Sequence, residues 1–216
     1  MRRIGTMAVL LATVLSGCSS PARVQVPAAQ VPTVEVSRAD SSSRRADSSS
    51  GGADSAYNLG VAAMKSNNFE EAAAQWSKAV ASGNTYAMNN LGFLLYNGYG
   101  VQKDVARAID LWHAAAVAGH AESQWHLGYA YESGVGVEQS LPQAYAWYSC
   151  SVENASNQIS AYPHNERYVQ LQTSIRNRAT QLLTALAPRL NASELNSGKA
   201  LAGEYIAKFG KPATEL

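Results

Sequence analysis

The strongest constraint on this chain is that it repeats itself. Leu91-Gly92 returns as Leu127-Gly128 after 36 residues, and Gly98-Tyr99-Gly100-Val101 returns as Gly134-Val135-Gly136-Val137 at the same offset. Ala108, Leu111 and Trp112 map onto Ala144, Trp147 and Tyr148. An earlier copy starts at Leu59-Gly60 and continues through Ala72, Trp76 and Ala79, with a shorter loop that lacks the glycine pair. A period of this length makes each copy one supersecondary unit that buries its apolar face only against its neighbours.

Each unit parses as two helices. The second helices are expected to start on Asn68, Asp104 and Ser140, spaced by 36 residues, each able to accept a bond from a free first-turn amide. Glu71 is expected to complete a capping box with Asn68, and Pro142 falls in a first turn, where its missing N–H is harmless. Gly83 and Gly119 are expected to stop the second helices of the first two units. Ala155 holds that place in the third, where the array is expected to end or bend. Gly60, Gly92 and Gly128 sit within helices at a cost of roughly 0.5–1 kcal/mol relative to alanine. Close approach to Ala72, Ala108 and Ala144 would explain them, with Trp76, Trp112 and Tyr148 filling the space between pairs.

The run L-G-x-x-Y, a G-x-G-V loop, an alanine, an aromatic, then A-A and G resembles the Sel-1-like repeat (SLR), as in LGFLLYNGYGVQKDVARAIDLWHAAAVAG. The first unit, LGVAAMKSNNFEEAAAQWSKAVASG, is more similar to the related tetratricopeptide repeat. Ser151-Val152 in place of an alanine pair, and a loop without aspartate at Glu138-Gln139-Ser140, depart from the pattern. The resemblance implies an all-α, right-handed superhelix (solenoid) of antiparallel helix pairs whose usual work is protein–protein interaction. The array is placed at 54–156, in units 54–84, 85–120 and 121–156. Residues 157–216 are read as C-terminal capping helices and tail. One helix carries Tyr168, Leu171, Ile175, Ala179, Leu182 and Leu186 up to Pro188, and a last helix is capped by Ser193 and closed by Gly210. A separate functional domain is the alternative for this segment.

The N-terminus bears on compartment. Arg2 and Arg3 precede an apolar stretch, residues 7–15, too short to span a bilayer and flanked as a signal peptide is. It ends in Leu15-Ser16-Gly17-Cys18, which resembles the bacterial lipobox. The resemblance implies transfer of a diacylglyceryl group to the Cys18 thiol, cleavage after residue 17, acylation of the new amine by a chain such as palmitate, and, with Ser19 next, sorting to the outer membrane facing the periplasm. Two or more chains hold a protein stably at a bilayer. Residues 18–53, with Pro21, Pro27, Pro32 and the near-duplicate RADSSSR and RADSSSG, lack the apolar surface to order themselves and read as a tether.

Little points to chemistry. A formal net charge of +1 with no basic stripe argues against nucleic-acid binding. Cys150 has no intrachain partner once Cys18 is lipidated, and is weighed as a nucleophile against a plain buried thiol. Glu122 and His126 share a helix face, but no third metal ligand is suggested. No enzyme activity, cofactor or metal is expected, and the chain is expected to be a monomer. What remains is a surface: in helix-pair arrays one face of the first helices lines a concave groove. That face should carry Tyr57, Val61 and Met64, then Asn89, Phe93 and Tyr96, then Glu122, Trp125, Tyr129 and Glu132, with Asn89 offered to a peptide backbone. Phe93 and Tyr129 have packing between repeats as an alternative; Trp125 is the preferred contact. The expected role is an adaptor for a protein or peptide; the alternative is an accessory factor that binds cell-envelope glycan or its enzymes.

Overall fold

The computed structural model describes residues 48–210. Among them are eight α-helices and no strand: α1 (Ser48–Lys65), α2 (Phe69–Ala81), α3 (Thr85–Asn97), α4 (Val105–Val117), α5 (Ala121–Ser133), α6 (Leu141–Ala161), α7 (Glu166–Leu186) and α8 (Ala192–Phe209), with a 3-10 turn at Ala187–Arg189 before α8. The expected signal peptide, Cys18 and most of the expected tether lie outside the described residues. The tether boundary shifts: α1 begins at Ser48, so residues 48–53 are helical. Buried Ala56 and Gly60 fix the later turns, and a helix once nucleated extends at one hydrogen bond per residue.

The three pairs are α1/α2, α3/α4 and α5/α6, and successive pairs pack through α2 with α3 and α4 with α5. Their second helices are capped as the 36-residue spacing predicts, by Asn68, Asp104 and Ser140, which accept from the amides of Glu71, Arg107 and Gln143. The capping box at Asn68 is only half formed, because the Glu71 carboxylate accepts from Gln75 Nε2 at 2.7 Å instead. The complete box is at α8, where Asn191, rather than Ser193, exchanges bonds with Glu194. Gly83 and Gly119 follow α2 and α4 with φ of 81° and 90°, a conformation that a Cβ would strain. At Ala155 no such stop exists, and α6 runs straight through to Ala161.

The helical glycines have a different partner from the expected alanines. A Cβ at Gly92 would lie 2.6 Å from Trp112 Nε1, and Gly60 and Gly128 meet Trp76 and Tyr148 in the same way. Each glycine is therefore a slot for the ring of its own pair, and the Trp112 Nε1–H donates to the Asn89 carbonyl at 3.1 Å. Ala72, Ala108 and Ala144 are fully buried beside these contacts. The second loop glycine works between pairs: a Cβ at Gly136 would lie 2.6 Å from Val105 Cγ1, at the start of α4. Leu91 and Leu127 are 2% and 1% exposed, whereas Leu59, on the first pair, is 53% exposed.

The last two helices do not continue the stack. Both α7 and α8 pack on α6, α7 also reaching α5 and α8 reaching α4. Leu186 and Leu190 join Ala144 and Tyr148, while Tyr205 and Phe209 pack around Trp147, ring centroids 4.6 and 5.7 Å away. On α7 the buried positions are Gln172, Ala179 and Leu186; Leu171, expected inside, is half exposed. Ala179 and Leu186 follow the expected stripe, and only its first turn departs, where Tyr168 bonds Gln158 of α6 at 2.9 Å and Gln172 rather than Leu171 is buried.

Candidate protein-binding groove

The first helices of all three pairs contribute to one groove of about 460 Å³. Tyr57, Val61, Met64 and Lys65 come from α1, Asn89, Asn90 and Phe93 from α3, and Glu122, Trp125 and His126 from α5; Trp76 forms part of the wall. Seven residues of the expected face thus come together: Tyr57, Val61, Met64, Asn89, Phe93, Glu122 and Trp125. Phe93 is 36% exposed, and Trp125 is partly buried with its Nε1–H unpartnered among the described residues. The guanidinium of Arg178, on α7, lies over the Trp125 ring at 4.9 Å.

Three expected residues lie elsewhere. Tyr96 packs on Trp112 at 5.2 Å, one turn beyond the groove. Tyr129 is 47% exposed but does not line it. Glu132 accepts from the Tyr148 hydroxyl at 2.8 Å and pairs with Arg189, so it ties the third pair to the cap. Burial and the Glu132 carboxylate push the Tyr148 phenol up, which keeps it a donor.

Asn89 lines the groove yet is not free to bind a backbone. It is 3% exposed; its Oδ1 accepts from Ser123 Oγ at 3.0 Å and its Nδ2 donates to Glu122 Oε2 at 3.1 Å. Its amide joins α3 to α5, since a buried amide left unbonded would cost about 1–3 kcal/mol. Residues that sequence reasoning passed over as groove lining are Lys65, Asn90 and His126. His126 was discernible as the residue sharing a helix face with Glu122; its ring stacks on Trp112 at 4.3 Å.

Electrostatics in the groove follow from burial. Desolvation raises the Glu122 pKa, opposed by the bond from Asn89. Burial lowers His126 to about 3, with His120 and Arg178 adding to the effect, and lowers His120 to about 4. Both imidazoles are therefore neutral near pH 7. His120 Nδ1 accepts from the Ser123 amide at 3.2 Å as the cap of α5, the position that Asn84 fills for α3.

Behind the groove, polar side chains of α6 latch the array. Ser151 Oγ donates to the Ala121 carbonyl at 2.8 Å, Asn154 Nδ2 to Gln124 Oε1 at 2.9 Å and to the Phe209 carbonyl at 3.1 Å, and Gln158 Nε2 to the Gly119 carbonyl at 3.1 Å. The serine that departs from the repeat pattern thus ties α6 to the first residue of α5. Cys150, on the same helix, is fully buried, and burial pushes its thiol up to about 12. A thiol so protonated and enclosed is a poor nucleophile.

These features define an all-helical array of repeated pairs with a concave, aromatic-lined face. The family model described as Sel1 repeat matches residues 85–120 and 121–156, the second and third pairs. Among solved structures, the chain is similar to a protective antigen present in uropathogenic Escherichia coli strains that displays an SLR fold: 28% identity, TM-score 0.56, 74% of this chain and 31% of that one. It therefore spans about a third of that antigen's length. A Sel1 repeat protein from Oxalobacter formigenes aligns at 22% identity and TM-score 0.46 over 74% of this chain and 67% of that one. No curated protein matches. The chain carries two Sel1 repeats in an SLR-type all-α fold, and such repeats generally mediate protein–protein interactions.

Proposed function

We propose that this chain is a lipid-anchored, periplasm-facing adaptor that holds a segment of a partner protein in the groove formed by α1, α3 and α5. The observation that carries this reading is the convergence of Tyr57, Phe93 and Trp125, one from each pair, on a single groove. Aromatic side chains supply large contact area at low entropic cost and are enriched among residues that dominate binding energy. The anchor rests on Leu15-Ser16-Gly17-Cys18 behind the apolar residues 7–15.

A photo-cross-linking residue at position 93 of the full chain, irradiated in cells, tests the groove. A discrete protein adduct that disappears with Trp125→Ala is expected. No adduct, or one indifferent to Trp125, overturns the reading.

A second reading, binding of cell-envelope glycan, draws on a separate cleft of about 330 Å³ in which Tyr86, Tyr162 and Tyr168 alternate with Gln158 and Asn165. The exposed rings of Tyr86 and Tyr162 suit the apolar face of a sugar. Soluble glycan fragments that leave the Tyr86 resonances unmoved would exclude it.

A further inference from the structure

The cleft of about 330 Å³ owes its outer wall to the run-on of α6, which brings Tyr162 and the α7 cap Asn165 alongside Tyr86 at the start of α3 and the turn at Gly119 and His120. Gln158 is fully engaged there, donating to the Gly119 carbonyl at 3.1 Å and accepting from the Tyr168 hydroxyl at 2.9 Å. The rings of Tyr86 and Tyr162 are not packed away. Each is braced by a perpendicular ring, His120 for Tyr86 at 4.9 Å and Tyr168 for Tyr162 at 5.5 Å, and the two residues stay 40% and 41% exposed.

The lining carries no charge. Besides tyrosines it holds threonine, asparagine, glutamine, alanine and glycine, together with His120, which burial lowers to about 4 and so keeps neutral near pH 7. An ion entering such a cleft sheds hydration and meets no counter-ion, which is costly. Donors are nonetheless left over. Asn165 uses its Oδ1 on the Tyr168 amide at 3.1 Å, and among the described residues its Nδ2 has no partner. His120 Nδ1 accepts from the Ser123 amide, so the ring proton lies on Nε2, which likewise has none among the described residues. Exposed rings beside unused donors, without charge, fit a ligand that has an apolar face and a rim of hydroxyls. A pyranose has both, and the volume lies at the lower end of the roughly 300–1,000 Å³ usual for small-molecule sites.

We propose that this cleft binds one uncharged pyranose unit of a glycan, its apolar face against Tyr86 and Tyr162 and its oxygens accepting from Asn165 Nδ2 and His120 Nε2–H. This rests on the second reading above and names which sugars the cleft takes: neutral units, with carboxylated ones refused. It is independent of the groove formed by α1, α3 and α5.

The test follows the Tyr86 ring resonances of the full chain during titration with three soluble disaccharides. The first joins two N-acetylglucosamine units, the second carries a lactyl ether carboxylate on one of them, and the third is the methyl ester of that acid. The ester keeps the shape of the acid and removes its charge. The neutral disaccharide and the ester are each expected to bind at least about fivefold more tightly than the acid. Tyr162→Ala removes a ring, and Asn165→Ser removes the free amide while serine still caps α7. Both should fold, as thermal melts verify, and both should weaken binding of the neutral disaccharide. Equal binding of acid and ester, or a titration indifferent to both variants, overturns the inference while the glycan reading stands. If no disaccharide moves the Tyr86 resonances, both fall.

Discussion

The indole of Trp112 lies across Gly92 and donates its Nε1–H to the Asn89 carbonyl, one turn earlier on the same helix. Ring and glycine lock the two helices of a pair at close range, and Trp76 with Gly60 and Tyr148 with Gly128 repeat the arrangement. Gly92→Ala is expected to destabilise by about 1–3 kcal/mol, because the strain of overpacking exceeds the gain in helix propensity. Gly203, inside α8 with nothing within 4 Å of a Cβ, is the control: Gly203→Ala should stabilise slightly. Thermal melts of both variants check the contrast. A Gly92→Ala protein that melts at or above the parent refutes the slot.

Acid should loosen the array. His120 and His126 stay neutral in the folded chain down to about 4 and about 3, whereas in the unfolded chain they take up protons near 6.5. Below pH 6.5 the unfolded state therefore binds more protons, and stability falls by about 1.4 kcal/mol per pH unit for each imidazole until its folded pKa is reached. Glu122, with a raised pKa, works in the opposite sense, since the folded state takes up its proton first. Urea midpoints at pH 7 and pH 5 should show a net loss. His120→Asn, which borrows the cap used at Asn84, should flatten the acid limb without removing the cap.

The α6 latch has graded members. Ser151→Ala removes one donor and should cost about 1 kcal/mol or less. Asn154→Ala strands Gln124 Oε1 and the Phe209 carbonyl together, so about 2–3 kcal/mol is expected. Hydrogen exchange should localise the Asn154 effect to the last turn of α8. Uniform exchange across the chain would contradict the latch.

Anchoring is tested independently of the fold. With Cys18→Ala, metabolic lipid labelling should vanish and the protein should leave the membrane fraction. Retained label would refute the lipobox reading.

The repeat made the pairs and their boundaries legible, since Asn68, Asp104 and Ser140 cap helices through strictly local bonds. Register within a pair was not legible: whether Gly92 faces Ala108 or Trp112 depends on helix rotation, to which spacing alone is blind. In the groove, Tyr57, Phe93 and Trp125 emerged from helical periodicity. The fates of Asn89 and Glu132 did not, because their partners Ser123, Tyr148 and Arg189 are distant in sequence and nothing local marks them. The run-on of α6 past Ala155 was visible only as a missing glycine.

With α7 and α8 seated on either flank of α6, the array has a closed end and an open one. Solenoids lengthen by duplication of units, and a copy added after the third pair would have to displace both helices together with the Asn154 and Glu132 ties. Among the described residues, no such tie holds the face of α1 that carries the exposed Leu59. Lengthening the array beyond α6 therefore costs the cap, whereas, among the described residues, lengthening it ahead of α1 breaks none of these ties.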